Sequence, residues 1–131
     1  MPQTHFLNDK WNLYYHLPTD QNWNLDSYKI IMENINSVEE VVKLNETINE
    51  GVLRNTMLFL MRSGIDPQWE HEKNRNGGCF SYKIHNKVVP DTWRKLFKLV
   101  TGETFCSDNN VNSHINGITI SQKKSNRKSV V

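Results

Sequence analysis

Apolar and polar residues alternate over 10–16 (Lys-Trp-Asn-Leu-Tyr-Tyr-His), which predicts a strand that buries Trp11 and Leu13. The run 17–22 (Leu-Pro-Thr-Asp-Gln-Asn) breaks it into a loop that delivers Trp23. A second strand is predicted over 28–32. Ser37-Val38-Glu39-Glu40 has the form of a capping box, and Val41, Leu44 and Ile48 follow at helical spacing. That helix is expected to reach about Asn49 and end at Gly51. Residues 56–61 are apolar and strand-like, 66–78 form a polar loop, and 78–85 alternate as a strand. Pro90-Asp91 opens a second helix with the core stripe Trp93, Leu96, Phe97 and Val100, ending at Gly102. A polar loop over 107–113 precedes a strand over 114–122, and 128–131 begin another. Strands outnumber helices, and most connections are too short for parallel crossovers. The pattern predicts an α+β fold, a mainly antiparallel sheet with helices on one face.

Composition narrows the class. A chain of 131 residues is expected to form one domain over 1–131 with an adequate core of its own. No run approaches the ~18 apolar residues of a membrane span, and no basic-then-apolar leader opens the chain, so a soluble, cytoplasmic protein is expected. Cys79 and Cys106 have no metal-ligand spacing; they read as free thiols, although spacing alone does not rule out a disulfide. The formal charge of +2 is uneven: Lys123, Lys124, Arg127 and Lys128 cluster near the C-terminus without an acid among them. Such a cluster suits either a phosphate-facing edge or a basic tail.

The chemistry centres on Trp69-Glu70, within Asp66-Pro67-Gln68-Trp69-Glu70-His71-Glu72-Lys73-Asn74. An indole beside a carboxylate suits a purine: the ring stacks on the base and the acid accepts from the guanine edge. Trp23, in a distant loop, could supply the other half of a sandwich, an arrangement that favours a cationic base. Trp11 and Trp93 are assigned to the core, and Ser37 and Glu40 to a helix cap. His5, His71 and Glu72 show no metal-ligand pattern. An enzyme built on Cys79 with His85 or His114 lacks a positioned third group, so no catalysis is expected.

These residues resemble the eukaryotic translation initiation factor 4E family. The opening block His5-Phe6-Leu7-Asn8-Asp9-Lys10-Trp11-Asn12-Leu13-Tyr14 is similar to the family's His-Pro-Leu, two residues, Lys-Trp-x-Leu-Trp. Gly64-Ile65-Asp66-Pro67-Gln68-Trp69-Glu70, with Asn74 and Gly77-Gly78, is similar to its Gly-Ile-x-Pro-x-Trp-Glu-x-x-x-Asn with a following Gly-Gly. Thr92-Trp93 and Gly102-Glu103-Thr104-Phe105 extend the likeness downstream.

The resemblance implies a curved sheet whose concave side binds the 7-methylguanosine cap of mRNA in translation initiation, with helices on the convex side. Trp23 and Trp69 would stack on the base, Glu70 would accept from its N1 and N2, and Lys123 and Lys128 would hold the phosphates. No cofactor or metal is implied. His5, Phe6, Leu7, Val38 and Val42 fall on the dorsal surface through which family members bind scaffold or repressor proteins.

The departures imply changes. Cys79 replaces a phosphate-binding arginine, so a decoy with impaired cap binding is the alternative. The chain ends before the family's last helix and terminal strands. Val42 stands at a dorsal tryptophan, and Arg94, Lys95 and Lys98 replace an apolar and acidic patch, which predicts weakened scaffold binding.

Overall fold

The computed structural model describes residues 5–17, 19–68, 77, 83–123 and 128–130. Among the described residues six strands form one antiparallel sheet: β1 (Phe6–His16), β2 (Lys29–Ser37), β3 (Met57–Arg62), β4 (Lys83–His85), β5 (Gly117–Lys123) and β6 (Lys128–Val130). Their order across the sheet is β2-β1-β3-β5-β6-β4. Among the described residues four α-helices accompany them: α1 (Val38–Thr47), α2 (Glu50–Asn55), α3 (Val89–Thr101) and α4 (Asn109–Ser113). The sheet is curved, and the α+β class expected from the pattern is the class found.

Period-two alternation divides the side chains between two clusters. Trp11 and Leu13 of β1, Leu58 and Leu60 of β3, Ile35 and Ile120 pack against Val41, Leu53, Trp93, Phe97 and Val100 of the helices. Burying each such large side chain contributes on the order of 1.5–3 kcal/mol. The opposite register of β3 places Phe59 and Met61 with Ile65 on the other face, against Tyr14, Tyr28 and Met57. Strand β3 is therefore apolar on both sides, as a central strand must be. Trp11 and Trp93 are core residues as expected, and Leu96 is only half-buried at the margin of its stripe.

Several boundaries differ from those the pattern predicts. Strand β1 begins at Phe6 rather than at residue 10, and β2 continues to Ser37 through three register shifts, with Asn34 in the left-handed region at φ 57°. The capping box is present: the Glu40 amide donates to Ser37 Oγ at 3.2 Å, and Glu40 Oε1 accepts from the Ser37 hydroxyl and the Asn36 amide. The first helix stops earlier than expected. Ile48 is extended, and Asn49 accepts from the Val52 amide to cap α2, so Gly51 lies inside a helix instead of ending one. The polar loop over 107–113 contains α4, capped by Asp108. Of the strand predicted over 78–85, only 83–85 falls among the described residues, where it is β4.

Gly117 meets β3 so closely that an added Cβ would lie 2.1 Å from the Leu60 carbonyl oxygen. Glycine is required there by the approach of the two backbones.

Candidate functional site

The candidate site is built on the face of the sheet away from the helices. His16 closes β1 on the same face as Tyr14, and its imidazole is fully buried. Trp23 lies flat on that imidazole, with centroids 3.9 Å apart and planes inclined by 3°. Tyr28 tilts against both rings and meets Phe59 edge-on at 5.1 Å. Phe59, Tyr28, His16 and Trp23 thus form a continuous aromatic support. Trp23 sits at its outer end, 46% exposed.

The loop carrying Trp23 is shaped by its own polar side chains. Asp20 accepts from the Asn22 amide, Asn22 accepts from the Asn24 amide, and the buried Ser27 hydroxyl donates to the Asn24 carbonyl at 2.6 Å. These Asx-type contacts explain why a polar run gives a defined turn. His16 completes it: its Nδ1 is 2.9 Å from the Leu17 carbonyl oxygen and its Nε2 is 2.7 Å from that of Asn22.

The approach to Trp69 and Glu70 is anchored on the same face. Gly64 turns the chain at φ 88°, Ile65 buries against Phe59 and Met61, and Pro67 is buried. The side-chain amide of Gln68 then donates to the Trp23 carbonyl at 3.0 Å. Trp69 and Glu70 themselves, like Cys79, His71 and Glu72, lie outside the described residues. Lys123 and Lys128 are register partners in the β5–β6 ladder. Tyr14 carries a phenol pushed above its ordinary range, chiefly by burial, with Asp66 and Glu33 adding to the effect against a bond from Asn12.

On the opposite surface, His5, Phe6 and Val38 come together. The Val38 amide donates to the His5 carbonyl, the His5 ring meets Glu39 Oε1 at 2.7 Å, and Phe6 pairs with Ser37. The Glu39 carboxyl is held below its usual range by the His5 bond. Phe6 is 74% exposed, and Val38 and Val42, one helical turn apart, are also exposed. Leu7 instead packs on the core.

Among the described residues no cluster could hold a metal ion, and no helix is long and apolar enough to cross a membrane. Cys106 is a free, half-buried thiol. His85 accepts from the Lys87 amide, and His114 donates to the Asn110 carbonyl. His16, Tyr28 and Gln68 were not among the residues singled out from sequence. The available signal was position: His16 shares a face with Tyr14 and immediately precedes the Trp23 loop, and Gln68 immediately precedes Trp69.

The curved antiparallel sheet with helices on one face is a fold shared with solved eIF4E structures. Ascaris suum eIF4E-3, solved with an m7G cap, superposes with a TM-score of 0.81 at 24% identity, covering 98% of this chain and 71% of that one. Schistosome eIF4E, complexed with m7GpppG and 4E-BP, gives 0.83 at 21% identity, covering 99% and 72%. The model of the Eukaryotic initiation factor 4E family matches residues 6–131, and the chain belongs to that family. Eukaryotic translation initiation factor 4E of Eremothecium gossypii is 32% identical over 95% of this chain and 60% of its own length. A eukaryotic translation initiation factor 4E homolog of Acanthamoeba polyphaga mimivirus is 37% identical over 66% of this chain and 29% of its own. The chain thus spans at most about 60% of these two relatives.

Proposed function

We propose that this protein binds the 7-methylguanosine cap of mRNA, stacking the base between Trp23 and Trp69, and acts without catalysis in translation initiation in the cytoplasm. The observation that carries this reading is Trp23 itself: one face is backed by His16, the ring is 46% exposed, and its carbonyl is tied to the residue preceding Trp69. N7 methylation makes the purine cationic, so each indole contributes stacking of about 1–3 kcal/mol with a cation–π component. Glu70 accepts from N1 and N2, a charge-assisted pair that adenine cannot form, while the Trp69 amide meets O6. Lys123 and Lys128 supply charge to the triphosphate; replacing arginine with lysine at 123 keeps the charge and loses the planar fork.

Tryptophan fluorescence titrated with methylated and unmethylated guanosine triphosphate tests the reading. Quenching by the methylated form, lost in Trp69→Ala and Glu70→Gln, is expected. Equal response to both nucleotides, or none to either, overturns it in favour of a decoy that keeps the fold without cap affinity. Scaffold or repressor proteins are proposed partners through the surface that includes Phe6, Val38 and Val42, with reduced strength.

A further inference from the structure

We propose that Lys83 and His85 of the outer strand β4, with Lys87 just beyond it, form a phosphate track for the single-stranded RNA that follows the cap, contacting its backbone without reading its sequence. The register of the sheet places them at the same end as the candidate site. His16 pairs with Met57 and Leu58 with Ile120, so Ser121 stands at the level of His16. Ser121 pairs in turn with Val130, and Val130 with Lys83. One step further out, Lys123 pairs with Lys128, and Lys128 with His85. Three basic residues therefore share one row across β5, β6 and β4, at the sheet end from which the Trp23 loop leaves.

The face follows from the same pairing. Ile118 and Ile120 of β5 and Ile84 of β4 pack on the helix side. The positions flanking Ile84 are turned the other way, onto the face where Thr119 pairs with Phe59 and where Trp23 is presented. Lys83, His85 and Lys87 are exposed, and among the described residues none of them enters a salt bridge. Residues 83–89 (Lys-Ile-His-Asn-Lys-Val-Val) contain neither an acid to oppose an anion nor an aromatic ring to stack on a base. Like charges set side by side across a ladder repel, so an anion lying along the row relieves them. His85 is oriented for such a ligand: the Lys87 amide donates to its Nδ1 at 3.1 Å, which leaves Nε2 to carry the N–H. A phosphate oxygen accepts from both side chains, and contacts of this kind position a nucleic acid without specifying its sequence.

Strand order supplies the direction. Neighbouring strands lie about 4.8 Å apart, so β4 is roughly 10 Å beyond β5 on the side away from β1. A chain leaving a triphosphate held at Lys123 and Lys128 crosses β4 next.

That direction rests on the cap-binding reading, whereas the basic track does not, and the experiment separates them. A short unstructured RNA, capped and uncapped, is titrated by fluorescence anisotropy over a series of salt concentrations, and methylated guanosine triphosphate by tryptophan quenching. Lys83→Gln and His85→Ala are each expected to weaken the capped RNA about two- to tenfold and to leave affinity for methylated guanosine triphosphate unchanged. Lys83→Gln is also expected to lower the slope of log affinity against log salt by about 0.7, and Lys83→Arg to restore it. Capped-RNA affinity and slope unaltered in both variants overturn the track. An equal loss for methylated guanosine triphosphate also overturns it, by assigning both residues to the triphosphate. Competition by polyglutamate as effective as that by RNA of equal charge overturns the assignment to RNA in favour of an acidic protein. If the wild type does not respond to methylated guanosine triphosphate yet binds uncapped RNA with a slope that Lys83→Gln lowers, the track stands and the cap reading falls.

Discussion

Gln68 donates its side-chain amide to the carbonyl of Trp23 across 45 residues of sequence, so the segment leading into Trp69 and the loop carrying the first indole are tied directly to each other. A net hydrogen bond of this kind is worth about 0.5–1.5 kcal/mol. Gln68→Ala is expected to weaken binding of methylated guanosine triphosphate by about two- to tenfold and to lower folding stability by no more than about 1.5 kcal/mol. Trp23→Ala is expected to cost more, about 1–3 kcal/mol. Unaltered affinity in Gln68→Ala would show that the tie does not organise the site.

Arg62 is the main polar junction of the fold. Its guanidinium lies 4.4 Å over Trp11, donates to the Ile115 and Asn112 carbonyls, and pairs with Asp9 and Glu103. Arg62 and Glu103 are nearly buried, so removing the cation leaves the carboxylate with the Asn8 amide at 2.7 Å but without its counter-charge. Arg62→Met is expected to destabilise the protein by about 3–5 kcal/mol in urea unfolding. Adding Glu103→Gln should recover part of the loss. A double variant no more stable than the single one would show that the charge is not the cause.

The raised phenol of Tyr14 has a signed consequence. Its proton is bound more tightly in the folded chain, so its contribution is complete below the unfolded phenol range and fades as pH rises above about 10. Wild-type stability should therefore fall more steeply in the alkaline range than that of Tyr14→Phe. Parallel alkaline unfolding curves for the two chains would contradict this.

Sequence pattern revealed the sheet and the helical stripes because they depend on local periodicity: Trp11 with Leu13, and Trp93 with Phe97. It missed the division between α1 and α2, since Gly51 looks like a helix terminator until Asn49 is seen capping the next turn. The Trp23 loop was legible as a loop. Its rear support was not, because His16, Tyr28 and Phe59 meet only through the pairing of strands distant in sequence. Trp69 and Glu70 were legible only as a motif.

The dorsal surface should bind family scaffolds poorly. Val38 and Val42 expose only small apolar surfaces, and Lys95 and Lys98 are exposed on α3. A pull-down with a scaffold peptide of the Tyr-x-x-x-x-Leu type is expected to be weak and to strengthen in Val42→Trp combined with Lys95→Glu and Lys98→Glu. Strong recovery by the unaltered chain would contradict the charge argument.

The β3–β5 ladder is tightest at Gly117, where the space beside Leu60 admits no side chain. Gly117→Ala should cost at least the 1–3 kcal/mol of ordinary overpacking, read in thermal unfolding. An unshifted midpoint would show that the strands can part cheaply.

That ladder also joins two parts of the sheet that are distant in sequence. Strands β1, β2 and β3 pair among themselves within residues 6–62, while β4 and β6 reach them only through β5. The β5–β3 ladder, Leu58 to Ile120 through Met61 to Gly117, is thus the long-range closure that joins the 117–130 hairpin to the rest of the sheet.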